Sequence, residues 1–191
     1  VARVQPMKLA AMEGLYDGGR GEEIVAFGIL DPSKTLDDGK DPFIMKIAIP
    51  YGLSILANHD MNSFVPGIND IIAGRSMNAE GDSIDTVSYA ERMAMGKKSH
   101  EALRRFDRAL TEGDTAAMDA ARAEIKENYP FFGYGYLDSA EEAVPPVGIT
   151  FYSFHIMVLA GGYLTLFIAI ALWSAYKRRR LWETRWWQWV A

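Results

Sequence analysis

The chain has 191 residues, 49% of them hydrophobic and 24% charged, with no cysteine, which excludes both a disordered chain and a disulfide-stapled scaffold. Its charge is uneven: residues 1–142 carry 15 Lys and Arg against 24 Asp and Glu, whereas residues 143–191 carry five against one. A first part this acidic excludes a basic nucleic-acid-binding domain.

In chain order, Pro6 suits the first position of a short helix running through Lys8 to Glu13, and Gly14 can take the left-handed conformation that ends it. A glycine-rich acidic turn follows from Asp17 to Glu23. Ile24 to Leu30 reads as an apolar extended segment, Asp31 to Pro42 as a polar loop and Phe43 to Pro50 as a second extended run. Tyr51 to Ala57 is apolar and uncharged, suited to packing on other parts of a larger protein. Val65-Pro66-Gly67 interrupts before a helix over Ile68 to Ala73, which Gly74 ends, and Asn78 to Asp85 is a polar turn. Val87 to Leu110 reads as an exposed amphipathic helix whose apolar positions are Met93, Leu103, Phe106 and Leu110. With Asp114 as cap, Thr115 to Asn128 returns as a second helix, giving a helical hairpin. Tyr129 to Leu137, rich in glycine and aromatics, leads on toward an apolar segment.

That segment is a membrane span. The 34 residues from Ala143 to Tyr176 contain no charged side chain, and Phe151 to Tyr176 alone supplies 26 residues, where about 20 cross the hydrocarbon. Asp138, Glu141 and Glu142 precede it and Lys177 to Arg180 follow it, a bias that places the C-terminal end in the cytoplasm and residues 1–142 outside, in a bacterium the periplasm. The expected architecture is mainly α: a partly irregular outer loop domain over 1–142 with a helical hairpin, one transmembrane helix within 143–176, and a basic, aromatic segment over 177–191 leading to a further span. Val1 is not an initiator Met and apolar residues resume at the other end, so the chain reads as a piece of a multi-pass protein.

Two charges in the first helix stand against its dipole. Lys8 lies near the positive N-terminus and Glu13 near the negative C-terminus, each unfavourable by roughly 0.3–1 kcal/mol. Five residues rotate the helix by about 500°, which sets the two about 140° apart and rules out an i,i+4 bridge. They are either solvated surface charges or two groups that grip a ligand from two sides, with Glu13 a proton acceptor whose neutral form the helix end favours.

Within the span, His155 is the one side chain that titrates near neutrality. It is either a satisfied interior histidine or a functional group facing a cofactor. Met157 lies about 200° around the helix from it, so the two cannot share an axial site. Gly161 and Gly162, one turn beyond Met157, offer either close helix packing or clearance for a flat haem, for which a thioether is a known axial ligand. Otherwise Met157 is a core or lipid-facing side chain. Histidine spacing excludes a local zinc motif, and Gly18 to Gly21 lacks the Gly-Lys-Ser/Thr of a phosphate loop.

Gln5-Pro6-Met7-Lys8-Leu9-Ala10-Ala11-Met12-Glu13 closely resembles the start of the quinol-binding loop in subunit I of the cytochrome bd quinol oxidases. Ile47-Ala48-Ile49-Pro50-Tyr51-Gly52 is similar to the middle of that loop, and Phe151-Tyr152-Ser153-Phe154-His155-Ile156-Met157-Val158 to the helix after it, so the likeness covers nearly the whole chain. The resemblance implies a periplasmic loop in a multi-pass protein of the bacterial inner membrane. It implies that Lys8 and Glu13 bind membrane quinol and accept its proton, and that Met157 is an axial ligand of a low-spin haem b. His155, where many relatives carry Arg, would lie near that haem. A second haem b, haem d, the opposite histidine ligand and the dioxygen site would belong to the remaining helices of subunit I, with subunit II and the lipid bilayer as further partners. The implied activity, that of a quinol:dioxygen oxidoreductase contributing to proton motive force, would need the full complex, and this piece alone would be inactive. The competing expectation is a single-pass receptor or assembly module whose outer domain binds a partner.

Overall fold

The computed structural model describes residues 2–176. The basic flank Lys177 to Arg180 and the aromatic segment over 177–191 therefore lie outside the described residues.

Helix α1 (Pro6–Glu13) begins with Pro6 in its first turn and ends at Gly14, whose φ of 64° is the left-handed C-cap and whose N–H reaches Ala10 O. Strand β1 (Gly19–Arg20) follows, then β2 (Ile24–Leu30) and β3 (Phe43–Ile49), then helix α2 (Gly52–Asn58). Strand β4 (Phe64–Val65), helix α3 (Ile68–Ala73) and strands β5 (Arg75–Met77) and β6 (Ser83–Asp85) complete the first half. The second half is helical: α4 (Tyr89–Glu112), α5 (Thr115–Asn128), two 3-10 segments (Tyr129–Tyr136 and Ala140–Ala143) and the long α6 (Val147–Tyr176). The strands form three antiparallel pairs, β1 with β4, β2 with β3 and β5 with β6.

The core sits where α1 and α3 meet. Met7 and Ala10 of α1 pack with Ile68 and Ile71 of α3 and with Tyr89 of α4, and Leu15, Tyr16, Leu36 and Val147 close over them. Asp70 ties this region together: one carboxylate oxygen accepts from Gly18 N–H at 2.7 Å and Gly67 N–H at 3.0 Å, and the other pairs with Arg75 at 2.9 Å. A buried carboxylate holding three donors is satisfied rather than reactive. The 31–42 loop is organised the same way, around the buried Lys34, whose Nζ meets Asp38 at 2.6 Å and donates to Lys40 O at 2.8 Å above the Tyr16 ring.

Helix α4 starts at a capping box between Ser88 and Glu91, and α5 at Asp114, whose carboxylate accepts from Ala116 and Ala117 N–H. The buried face of α4 is a correction to the expectation above. Leu103 and Leu110 are exposed, and the packed seam is Tyr89, Gly96, Ser99, Ala102 and Ala109. Small residues make that seam because the Tyr129–Tyr136 segment lies so close: a Cβ at Gly96 would stand 2.3 Å from Gly135 N and 2.6 Å from Phe131 O. The 78–85 turn and the 17–23 turn also differ from expectation, each contributing a short strand to a pair. Helix α6, with 30 residues, is about 45 Å long at 1.5 Å per residue and is long and apolar enough to cross a membrane.

Candidate functional site

The last turn of α1 meets the first turns of α6. Phe151, 1% exposed, lies with its ring centroid 5.5 Å from that of Phe43 of β3, and both rings approach Gly14, where a Cβ would stand 3.0 Å from Phe43 and 3.6 Å from Phe151. Glycine at that position therefore meets two demands, a left-handed backbone and a ring against its α-carbon.

Glu13, the residue before Gly14, is 3% exposed, and neither of its carboxylate oxygens has a hydrogen-bond partner among the described residues. Burial pushes its carboxyl above the ordinary 4.5, and the charge of His155 and the nearby Val25 backbone pull it down by less. An ionised carboxylate without donors in such a place is costly, so the surroundings of Glu13 favour its protonated form. Glu13 lines a cavity of about 380 Å³ together with Val25, Phe43, Glu22 and the ion-paired Glu23 and Lys46. Glu22 is raised as well, first by burial and then by the charge of Glu23.

Lys8 stands apart from this cavity. It is exposed, takes part in no ion pair among the described residues, and lines a different cleft of about 310 Å³ with Gln5, Arg75, Tyr89, Arg92 and Tyr134. The two expected partners thus occupy opposite sides of α1, as their 140° separation requires.

His155 faces the loop, not lipid. Its Nε2 lies 2.7 Å from Val25 O and its Nδ1 2.9 Å from Phe151 O, and its ring packs on Phe151 at 4.0 Å. One turn earlier, Tyr152 Oη accepts from Leu30 N–H at 3.1 Å. Residues 151, 152 and 155 therefore clasp β2 and β3 against α6, and Tyr152 is a positioning residue that sequence reasoning missed, because its partner is a backbone N–H 122 residues away. Met157 points elsewhere and is 60% exposed, and a Cβ at Gly161 or Gly162 would meet nothing within 4 Å.

Across residues 1–191 the chain matches the family model for cytochrome bd terminal oxidase subunit I. It belongs to that family. It is 32% identical over 176 residues to cytochrome bd-II ubiquinol oxidase subunit 1 of Escherichia coli (strain K12), an alignment that covers 90% of this chain and 32% of the relative. The chain thus spans about a third of the length of that curated relative. Membership in a family of terminal oxidase subunits favours the oxidase expectation over the receptor expectation.

The family implies haem, and one face of this cytochrome bd subunit I helix suits it. Met157 offers an exposed thioether, and one turn on, Gly161 and Gly162 leave the helix surface flat and unobstructed. A planar macrocycle needs both an open axial donor and clearance beside it.

Proposed function

We propose that residues 1–142 form the outer, periplasmic quinol-binding loop of a cytochrome bd-type oxidase and that α6 carries one ligand of its low-spin haem b. The observation that carries the reading is Glu13: a buried, donorless carboxylate at the end of α1, packed against the helix that bears Met157.

In this reading Glu13 accepts the proton of a quinol hydroxyl, and the raised affinity of its carboxylate for protons suits it to that transfer near neutral pH. Lys8, exposed in its own cleft beside Gln5 and Arg75, supplies a cation for the quinol oxygens from the other side of α1. His155 and Tyr152 hold β2 in place beside the Glu13 cavity. Met157 would hold a haem iron from one side, and the haem supplies the one-electron acceptor. Proton release on the outer side then separates charge across the membrane. The dioxygen chemistry, the other haems and the second ligand belong to the remaining helices of the subunit, with subunit II and lipid as further partners.

The test uses the whole oxidase in membranes. Met157→Leu should remove or strongly change one low-spin haem b signal in the reduced-minus-oxidised spectrum. Lys8→Ala and Glu13→Ala should keep that signal and depress quinol turnover at least about tenfold, the effect of removing a positioned proton acceptor. Unchanged turnover in both variants would remove the quinol assignment, and an unchanged spectrum would remove Met157 as a ligand.

A further inference from the structure

The register of β2 and β3 puts Ile24 opposite Ile49, Phe27 opposite Ile47 and Ile29 opposite Met45. Directly opposed residues share a face, so these three pairs make one face with no polar side chain in it. The pairs Val25–Ala48, Gly28–Lys46 and Leu30–Phe43 make the other face, where Val25 is buried and Phe43 meets Phe151. The apolar face is uncovered: Ile49, Ile47, Met45, Phe27 and Ile29 are between 40% and 63% exposed. A two-stranded hairpin leaving such a face to water would be unstable.

The contacts with α6 indicate what covers it. β2 is fastened to the beginning of the membrane-crossing helix at Leu30 by Tyr152 and at Val25 by His155. Leu30 and Val25 are about 16 Å apart along the strand, whereas Tyr152 and His155 differ by only about 4.5 Å along the helix axis. The strand therefore runs across α6 and not along it, which in a membrane is parallel to the bilayer surface. Leu30 and Phe43 of the packed face close on Gly14, at the end of α1, together with Phe151, and α1 packs beside Val147 near the start of α6, so the packed face is turned to the N-terminal end of α6. The uncovered face is turned toward the helix's continuing apolar length. The hairpin's charges, Glu23 and Lys46, pair with each other away from that face.

We propose that the β2–β3 hairpin is an interfacial element whose Phe27, Ile29, Met45, Ile47 and Ile49 face rests on the phospholipid acyl chains of the outer leaflet. This rests on α6 crossing the membrane and is independent of the quinol and haem assignments.

The test places a single cysteine at Ile47 in the complete two-subunit oxidase, in a background freed of other reactive cysteines. A nitroxide is attached and the protein reconstituted in phosphatidylethanolamine and phosphatidylglycerol nanodiscs. Glu112, at the exposed end of α4, serves as the aqueous reference. The expected result is a ratio of oxygen to nickel-chelate collision several-fold higher at Ile47 than at Glu112. A label at Ile47 shielded from both reagents would show that protein covers the face, and one as open to nickel as Glu112 would show that water does; either overturns the proposal. Met45→Cys, on the same face, repeats the measurement if Ile47→Cys does not assemble. Failure of both to assemble while Ala48→Cys, on the packed face, assembles would mark the open face as a protein contact and overturn it too.

Discussion

Glu13 binds its proton more tightly in the folded protein than in the unfolded chain, because burial raises its carboxyl above 4.5. The native state then holds more protons than the unfolded one between that ordinary value and the raised one, so stability falls as pH rises through the interval. Glutamine at this position is always neutral. Glu13→Gln should therefore raise the midpoint of thermal unfolding of the oxidase relative to wild type at pH 8, and the gap should narrow toward pH 4, where the wild-type carboxyl is largely protonated in both states. A gap of the same size at both pH values would show that Glu13 is not held against ionisation. At this scale the sequence marked Lys8 and Glu13 as charges opposed by the helix dipole and His155 as a titratable group within the span, whereas Met157, an apolar residue at home there, stood out through the family resemblance. The sequence could not mark Lys34 or Tyr152. Lys34 is buried under a charge partner four residues away, a spacing indistinguishable from a solvated surface pair. Tyr152 earns its role from Leu30 N–H, and backbone partners leave no trace in residue type.

Elements were legible where punctuation was strong. Pro6 and Gly14 bracket α1, Gly74 ends α3, and Asp114 opens α5, each by a backbone or capping preference that acts within a turn. The short pairs β1–β4 and β5–β6 were not legible, since strands of two or three residues exist only through a partner distant in sequence or across a turn. The seam of α4 was misread for a related reason: periodicity follows bulk, but this helix packs through Gly96, Ser99, Ala102 and Ala109. Gly96→Ala tests that seam. Its new Cβ would stand 2.3 Å from Gly135 N, and backbone cannot rotate away as a side chain can, so α4 and the Tyr129–Tyr136 segment must separate. Overpacking of this kind costs about 1–3 kcal/mol. If local opening equilibrates faster than cleavage, protease cutting within Tyr129–Tyr136 should rise about fivefold or more. Unchanged cutting would mean that the two backbones are not held in contact.

Across the whole molecule, the candidate chemistry is confined to one end. α1, the β2–β3 hairpin and the first turns of α6 enclose Glu13, and the core around Ile68 and Tyr89 supports them. The α4–α5 arm reaches away from this centre. Its near end is fixed by Arg92, between Tyr89 and Tyr134, and by the contact of Gly96 with Gly135. Beyond Arg105, which pairs with Glu124, the arm buries only Ala109 and Ala121. Such an arm can stiffen the loop at its root but cannot shape the Glu13 cavity from its tip. Replacing residues 107–122 with a short glycine-serine turn should therefore leave the haem b spectrum intact and the KM for quinol within about twofold of wild type, the range expected where ordering of distant groups does not enter binding. The Arg105–Glu124 pair brackets the cut, so the root of the arm keeps its geometry. A large rise in KM with an unaltered spectrum would show that the tip of the arm reaches the quinol site in the assembled oxidase; loss of the haem signal would show that it is needed for assembly of the subunit itself.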